Sequence, residues 1–203
     1  MKMIRSVTAE AVLALLTFIP NFCLAQERHP VPPEEKIKEV ELSLHELFKE
    51  NYSLTGIAER RQFALKLFQQ AELSGEDKPT KFVLLQEASR ISAMALDIRT
   101  AFSAIDKLAS EFEVDPCTVK SKLIESSVRA ARAPSEFQEC TRGYLSLIDS
   151  VVANDKFELL NGVLSAADGA ARRTQDATLL SQARAKAAEV RLLRTEFESY
   201  NRA

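Results

Sequence analysis

The chain of 203 residues contains no tryptophan and only five glycines. All-β sandwiches and barrels need many short strands joined by turns that are rich in glycine and proline. So little glycine, together with the missing tryptophan, therefore argues against both architectures. Apolar residues nevertheless make up 46% of the chain, which is ample for a hydrophobic core. The length fits one domain, or two small ones.

The residue patterns of common active sites are also missing. The two histidines, His29 and His45, have no cysteine or carboxylate at metal-ligand spacing, so no metal site is predicted. There is no Gly-x-Ser-x-Gly segment and no glycine-rich phosphate loop. We therefore predict neither catalysis nor a cofactor. The formal net charge of −2 gives no electrostatic reason to expect nucleic acid as a partner.

The N-terminal residues have the pattern of an export signal. Lys2 and Arg5 provide a positive start, residues 11–19 form a short apolar run, and Cys23-Leu24-Ala25 has the small residues of a cleavage site. The apolar run is too short to span a membrane comfortably and is followed by Pro20. This pattern favours cleavable export over a membrane anchor.

The sequence is accordingly divided into three parts. Residues 1–25 are predicted to be a signal peptide, and residues 26–33, which hold three prolines, a flexible lead. Residues 34–203 are predicted to form a single helical domain. Its location would be the periplasm or the extracellular space, with no membrane span after signal cleavage.

Three closely joined amphipathic segments lie between Arg60 and Asp115. In the third segment, apolar residues recur at steps of three and four, which is one face of an α-helix. They are Ile98, Ala101, Phe102, Ile105, Leu108, Ala109 and Phe112. The joints at residues 74–77 and at Leu96-Asp97 are so short that the segments must fold back as antiparallel hairpins. Asp97 and Asp115 are predicted N-caps, with Pro116 in the first turn of the following helix.

Similar stripes before and after this stretch give about eight helices and no convincing strand. Small alanines face large residues in the three central segments, which lets helix axes approach closely, as in tetratricopeptide-like stacks. The predicted fold is all-α, with antiparallel helical hairpins stacked as a tetratricopeptide-like α-solenoid.

Several blocks also resemble a known family. Residues 59–68, 81–88 and 101–115, and the shorter blocks 154–157 and 188–191, are similar to a helical domain that is widespread in exported proteins of planctomycete bacteria. The resemblance implies a tetratricopeptide-like module, usually of unassigned function and often fused to other extracellular domains. It supplies no functional residues.

Export makes Cys117 and Cys140 candidates for a disulfide, because they would meet an oxidising compartment. If residues 116–132 and 135–154 form a hairpin, the two cysteines are offset by roughly 15 Å along the helix axes. A disulfide needs Cα atoms within about 7 Å, so a bridge requires an unwound helix start or a different crossing. A bridge and a pair of buried free thiols both remain open at this point.

In the absence of catalytic patterns, we predict an exported, non-catalytic scaffold of the cell envelope that binds a protein or peptide through a rigid, preformed surface. The candidate partner surface consists of polar residues on neighbouring helices, namely Lys66, Gln69, Gln70, Arg90 and Arg99. The alternative is a structural envelope component that self-associates into a homo-oligomer. Exposed apolar residues on the last helix and a mass above that of the monomer would favour this alternative.

The N-terminus of the protein recovered from cells tests the export prediction. Cleavage after Ala25 makes Gln26 the first residue, and mass spectrometry of the exported protein should find it. Ala25→Lys should block processing, because signal peptidase requires a small residue there, whereas Ala25→Ser should still be processed. Exported protein that still begins at Met1 would contradict the prediction.

Overall fold

The computed structural model describes residues 28–200, apart from the side chains of residues 196 and 198–200. The predicted signal peptide lies outside the described residues. Within them the chain forms nine helices, α1 to α9, and no strand, which confirms the all-α prediction. The helices are Glu34–Leu47, Lys49–Tyr52, Ile57–Leu73, Lys78–Met94, Ile98–Glu111, Pro116–Ala130, Pro134–Ala153, Phe157–Arg172 and Ala177–Tyr200.

The helix beyond the predicted eight is α2, a single turn that follows α1 after a break at Phe48. The chain is helical again from Lys49 to Tyr52. The rings of Phe48 and Tyr52 lie 5.6 and 5.1 Å from the ring of Phe63 on α3. Contacts of this kind between aromatic rings are attractive, and they hold the extra turn against α3.

Aspartate side chains cap the starts of three central helices. The backbone N–H of Thr80 donates to Asp77, that of Thr100 to Asp97 and that of Cys117 to Asp115, at 3.1 to 3.2 Å. Each cap satisfies a backbone N–H that has no partner within its own helix. The predicted caps Asp97 and Asp115 are thus confirmed.

Four of the helix connections contain one residue in the left-handed region. These residues are Gly75, Leu96, Asp155 and Gln175, with φ between 54° and 58°. A left-handed residue after a helix ends it and reverses the chain within a few residues. Leu96 adopts this conformation at a cost of about 1–2 kcal/mol for a residue with a Cβ. Its side chain is buried beside Phe137, which offsets that cost.

Packing is local along the chain. The helices α4 to α9 each pack mainly on helices one or two places away in chain order, and α3 packs on α4. The helix α1 also lies against α4. Contacts restricted to near neighbours in sequence occur in helical bundles and in α-solenoids alike.

Two large hydrophobic clusters and a small third one around Phe137 form the core of the described residues, and α5 contributes to both large clusters. Ala104, Leu108 and Phe112 belong to the cluster built with α1, α3 and α4. Ile98, Phe102 and Ile105 belong to the cluster built with α6 to α9. The two sets lie on adjacent sides of α5, as the 3.6-residue period requires.

The residues before α1 are attached to the end of α5. The backbone N–H of His29 donates to the carbonyl of Glu111 at 2.7 Å, and the N–H of Glu113 donates to the carbonyl of His29 at 2.8 Å. The His29 ring also lies edge-on to Phe112, with centroids 6.2 Å apart. The predicted lead therefore has a defined attachment point at His29.

The helix α7 approaches α5 and α6 closely at Gly143. A Cβ atom on Gly143 would lie 2.5 Å from Cγ2 of Ile98 and 2.7 Å from Cδ1 of Ile124. Both isoleucines are core residues. A methyl group at this position would therefore force the three helices apart.

We expect Gly143→Ala to destabilise the fold by about 1–3 kcal/mol, because overpacking a filled core costs this much. Gly162→Ala in α8 is the matched control, because a Cβ at that position meets no atom within 4 Å outside the adjoining stretch of its own helix. Alanine should there stabilise by about 0.5–1 kcal/mol through its better helix propensity. Urea denaturation followed by circular dichroism measures both changes. A neutral or stabilising Gly143→Ala would show that the helices are not in close contact at this position.

Candidate functional site

A groove of about 740 Å³ runs between α5 and α7, with Arg61 of α3 at its edge. Its floor is formed by the apolar side chains of Leu96, Ile98 and Phe102. All three are almost completely buried, so the floor offers little apolar surface to a ligand. The polar rim therefore determines what the groove can bind.

Helical periodicity lines the groove with polar residues on both sides. Polar side chains recur at steps of three and four on each helix, next to its buried stripe. The two rows are Arg99, Ser103 and Asp106 on α5, and Glu139, Arg142 and Ser146 on α7. The groove thus carries guanidinium groups and carboxylates in similar numbers.

Both acidic residues of the two rows are engaged by cations. Glu139 Oε1 lies 2.7 Å from Nη1 of Arg142. Asp106 Oδ1 lies 2.6 Å from Nζ of Lys120, a lysine of α6 whose side chain is only 4% exposed. The Lys120 ammonium also lies 5.2 Å from the centre of the Phe102 ring. This lysine reaches the groove from beneath and neutralises Asp106.

Two guanidinium groups at the groove remain available for a ligand. Nε of Arg61 donates to the carbonyl of Ala95 at 3.2 Å, which leaves its other donors free of side-chain partners among the described residues. The Arg99 side chain has neither an ion pair nor a hydrogen bond within residues 28–200 as described. A guanidinium presents five donors in a fixed fork that matches a carboxylate. The chemical complement of this groove is therefore an anionic group.

Of the predicted partner surface, only Arg99 lies in this groove. Lys66, Gln69 and Gln70 are exposed on α3. There the ammonium of Lys66 lies 4.9 Å from the ring centre of Phe48, on the side of α1 and α2. Arg90 is on α4 and faces Tyr52 of α2. The five residues are therefore divided between three places.

Two cationic residues of the groove, Arg61 and Arg142, are absent from the predicted surface. Arg61 belongs to the Arg60-Arg61 doublet, which looks like a solvated helix face in the sequence. One signal pointed to Arg142: it precedes Gly143, a glycine in the middle of a strongly amphipathic helix. Such a glycine commonly marks a close approach of backbone to another element. The groove lies beside that approach.

Arg90 is bound to a buried carboxylate. Glu87 accepts from Nε and Nη2 of Arg90 at 2.8 and 2.6 Å, and from the Tyr52 hydroxyl at 2.9 Å. The ring of His45 stacks on Tyr52, with centroids 3.9 Å apart. Burial alone would raise the pKa of Glu87, but the hydrogen bonds from Arg90 and Tyr52 outweigh burial and hold it below its usual value. This network ties α2 to α4, so Arg90 has a structural partner.

Cys117 and Cys140 are buried and free in the structure. The Cys117 thiol donates to the carbonyl of Ser150 at 3.5 Å. Ser150 lies ten residues beyond Cys140 on α7, which places the two cysteines about 15 Å apart along that helix. This offset matches the expected mismatch and is too long for a disulfide in this arrangement of α6 and α7. Burial raises the pKa of Cys140 to about 11, which keeps the thiol protonated and unreactive.

Neither a metal cluster nor a transmembrane helix is found in the described part of the chain. Residues 28–200 contain no group of three or more His, Cys, Asp or Glu side chains placed to hold a metal ion. None of the described helices is long and apolar enough to cross a membrane. Comparison of the chain with protein-family models, curated proteins and solved structures finds no match.

The depressed pKa of Glu87 predicts a pH-dependent contribution to stability. A carboxylate with a lowered pKa stabilises the fold above its unfolded pKa, near 4.3, and this stabilisation is lost as the pH falls through the folded value. At pH 7, Glu87→Gln should cost about 1.5–3 kcal/mol, the range for hydrogen bonds to a charged group. The difference from the unmodified protein should shrink below pH 4.

Glu139→Gln is the matched control, because Glu139 pairs with Arg142 at the same i, i+3 spacing but in solvent. Exposed pairs contribute about 0–1 kcal/mol, so this variant should change stability little at any pH. Urea denaturation between pH 3 and pH 7 compares the two. If both variants lost the same free energy of unfolding, the buried hydrogen bonds of Glu87 would contribute no more than an exposed ion pair, which would contradict the prediction.

Proposed function

We propose that this protein is an exported, non-catalytic scaffold of the cell envelope that binds a peptide segment of another protein in the groove between α5 and α7. The observation that carries the proposal is the Arg99 guanidinium, which stands at a groove of about 740 Å³ without a partner in the described structure. Nothing in the folded core uses this side chain. A cation that contributes no internal contact is available for recognition.

The rim of the groove supports a ligand that carries a carboxylate. Arg99 and Arg61 keep free donors, whereas Arg142 is held by Glu139 and Asp106 by Lys120. An acidic side chain of a bound segment would therefore find two cations whose charges no groove carboxylate neutralises. The third carboxylate at the groove, Asp97, has no ion pair among the described residues, but its oxygens already accept hydrogen bonds from the N–H and the hydroxyl of Thr100.

We further propose that the helices are stacked in tetratricopeptide-like hairpins, α3 with α4, α5 with α6, and α7 with α8. The packing of helices on near neighbours in the chain supports a stack, as does the resemblance to exported planctomycete domains. Left-handed residues, Gly75 and Asp155, join α3 to α4 and α7 to α8. In such a stack α5 and α7 occupy equivalent places in successive hairpins. The groove between them is then of the kind in which solenoids bind extended segments.

One observation favours the structural alternative as a second candidate function. The last helix, α9, exposes Leu192, Leu193 and Phe197, with 62%, 41% and 42% of each side chain accessible. Exposed apolar residues close together on one helix are typical of a surface that another molecule covers. Self-association through the last helix would fit a structural envelope component.

Site-specific photocrosslinking tests the binding proposal. A photoreactive amino acid at Ser103, inside the groove, should capture a discrete partner in the envelope of living cells. The same amino acid at Gln70, on the exposed face of α3, should not capture it. Arg99→Glu should reduce the Ser103 adduct at least about tenfold, because it places a like charge against an anionic ligand.

Arg129→Glu serves as the charge-matched control, since Arg129 is exposed on α6 and does not line this groove. It should leave the Ser103 adduct unchanged. A Ser103 adduct that persists in Arg99→Glu, or one that Arg129→Glu reduces equally, would reject the groove as the binding site.

A further inference from the structure

A second groove, of about 370 Å³, lies between α8 and α9 and has an excess of positive charge. Leu164, Ala183 and Ala187 supply its apolar residues, and Arg184 and Arg191 supply its cations. The two arginines are seven residues apart on α9, so they share one side of the helix about 10.5 Å from each other. On the side that the two arginines share, the exposed residue between them is the small Ala188, whereas the exposed Glu189 lies farther round the helix and pairs with Lys186.

Among the described side chains that line this groove, Asp168 is the one carboxylate, and it is already paired. Its Oδ2 lies 2.6 Å from Nε of Arg172, and its Oδ1 lies 3.4 Å from Nε of Arg184. Arg191 has no ion pair with any side chain that the structure describes. Arg172 and Arg184 therefore share the carboxylate of Asp168, and Arg191 adds a further positive charge, so the groove is complementary to an acidic surface.

The chain itself carries a surface with the matching pattern, on the outward side of α1. Glu35, Glu39, Leu42 and Glu46 follow one another at steps of four, three and four, opposite the buried Leu44. Leu42 stands at the centre of this row with 72% of its side chain exposed. Glu46 has no ion pair in the described region, and Glu39 pairs with the exposed Lys36 at 2.7 Å.

The two patterns coincide when the helices lie antiparallel. Glu39 and Glu46 are seven residues apart, as are Arg184 and Arg191. With Glu46 opposite Arg184 and Glu39 opposite Arg191, Leu42 comes to lie opposite Ala188. A large apolar side chain then meets a small one, with an ion pair on either side. We propose that α1 of a second copy of this chain binds in the groove between α8 and α9.

The packing within one chain supports this position. The helix α6 contacts both α4 and α5, and α8 contacts both α6 and α7. By the same pattern, a further helix would pack on both α8 and α9, and no described helix occupies that position. A helix in it would run parallel to α8 and antiparallel to α9, which is the direction that the charge pattern requires. The contact joins different surfaces of the two copies, so it propagates head to tail into rings or chains.

Sedimentation velocity of the protein as purified from its own cells tests the proposal. We expect species above the monomer mass that grow with concentration and decline as salt is raised, because exposed charges are screened. Glu39→Lys with Glu46→Lys, and separately Arg184→Glu with Arg191→Glu, should each weaken association about tenfold or more through like-charge repulsion.

Mixing the two double variants is the decisive measurement. Each reversed surface then meets its reversed counterpart, and each unchanged surface meets an unchanged one, so association should return to the level of the unmodified protein. This recovery requires both variants to be folded, which separates a lost contact from a lost fold. Leu42→Ser should also weaken association, whereas Leu73→Ser, a control on α3 with 76% exposure, should not.

Three outcomes would overturn the proposal. One is a monomer at every concentration up to the solubility limit. Another is association that neither double reversal weakens, which would place the contact elsewhere, for example at Leu192 and Leu193. The third is a mixture of the two double variants that stays monomeric although each retains its helical circular dichroism. Arg99 is not part of this contact, so loss of peptide binding through Arg99→Glu leaves the result unaffected.

Discussion

The fold depends on α5, because one helix supplies side chains to both halves of the core. Ile98 and Phe102 face the C-terminal cluster, and Leu108 and Phe112 face the N-terminal cluster. A rigid helix that is packed on two sides cannot turn toward one cluster without leaving the other, so the two halves keep a fixed relation. The side of α5 that remains carries Arg99, Ser103 and Asp106, and this side borders the groove. The position of the candidate site is therefore a consequence of core packing.

The same packing decides which charges are available for recognition. The absence of a Cβ at Gly143 allows α7 to come close to α5, and this approach brings Arg142 and Glu139 to the opposite rim. Lys120 then neutralises Asp106 from the buried side. Ion pairs within the fold therefore involve the carboxylates of both rows, Asp106 and Glu139, whereas Arg99 forms no ion pair with a described side chain. Arg90 is the opposite case, because its guanidinium binds the buried carboxylate of Glu87. The sequence-based prediction of the partner surface included Arg90 as an exposed cation, although this contact already engages it.

Helices and their starts could be predicted from the sequence because both depend on local chemistry. Apolar steps of three and four marked the helices, and Asp97 and Asp115 marked two of the caps. Tertiary contacts determined the rest. The turn α2 exists because Tyr52 meets Phe63 and Glu87, and Leu96 adopts a positive φ because its side chain is buried beside Phe137. Arg61 and Arg142 are 81 positions apart in the sequence, so their shared groove follows only from the packing of α3, α5 and α7.

The two proposed surfaces do not overlap, and this has a consequence for binding. The groove between α5 and α7 uses no residue of α1, α8 or α9. Head-to-tail contacts through α1 and the groove between α8 and α9 would therefore leave every peptide site open. Each added copy would add one more site at a fixed spacing. A single groove would bind one acidic segment weakly. A partner that carries several such segments would bind several copies at once and therefore strongly, because every contact after the first forms within the same complex. A scaffold and a self-associating envelope component are thus compatible roles for the same chain.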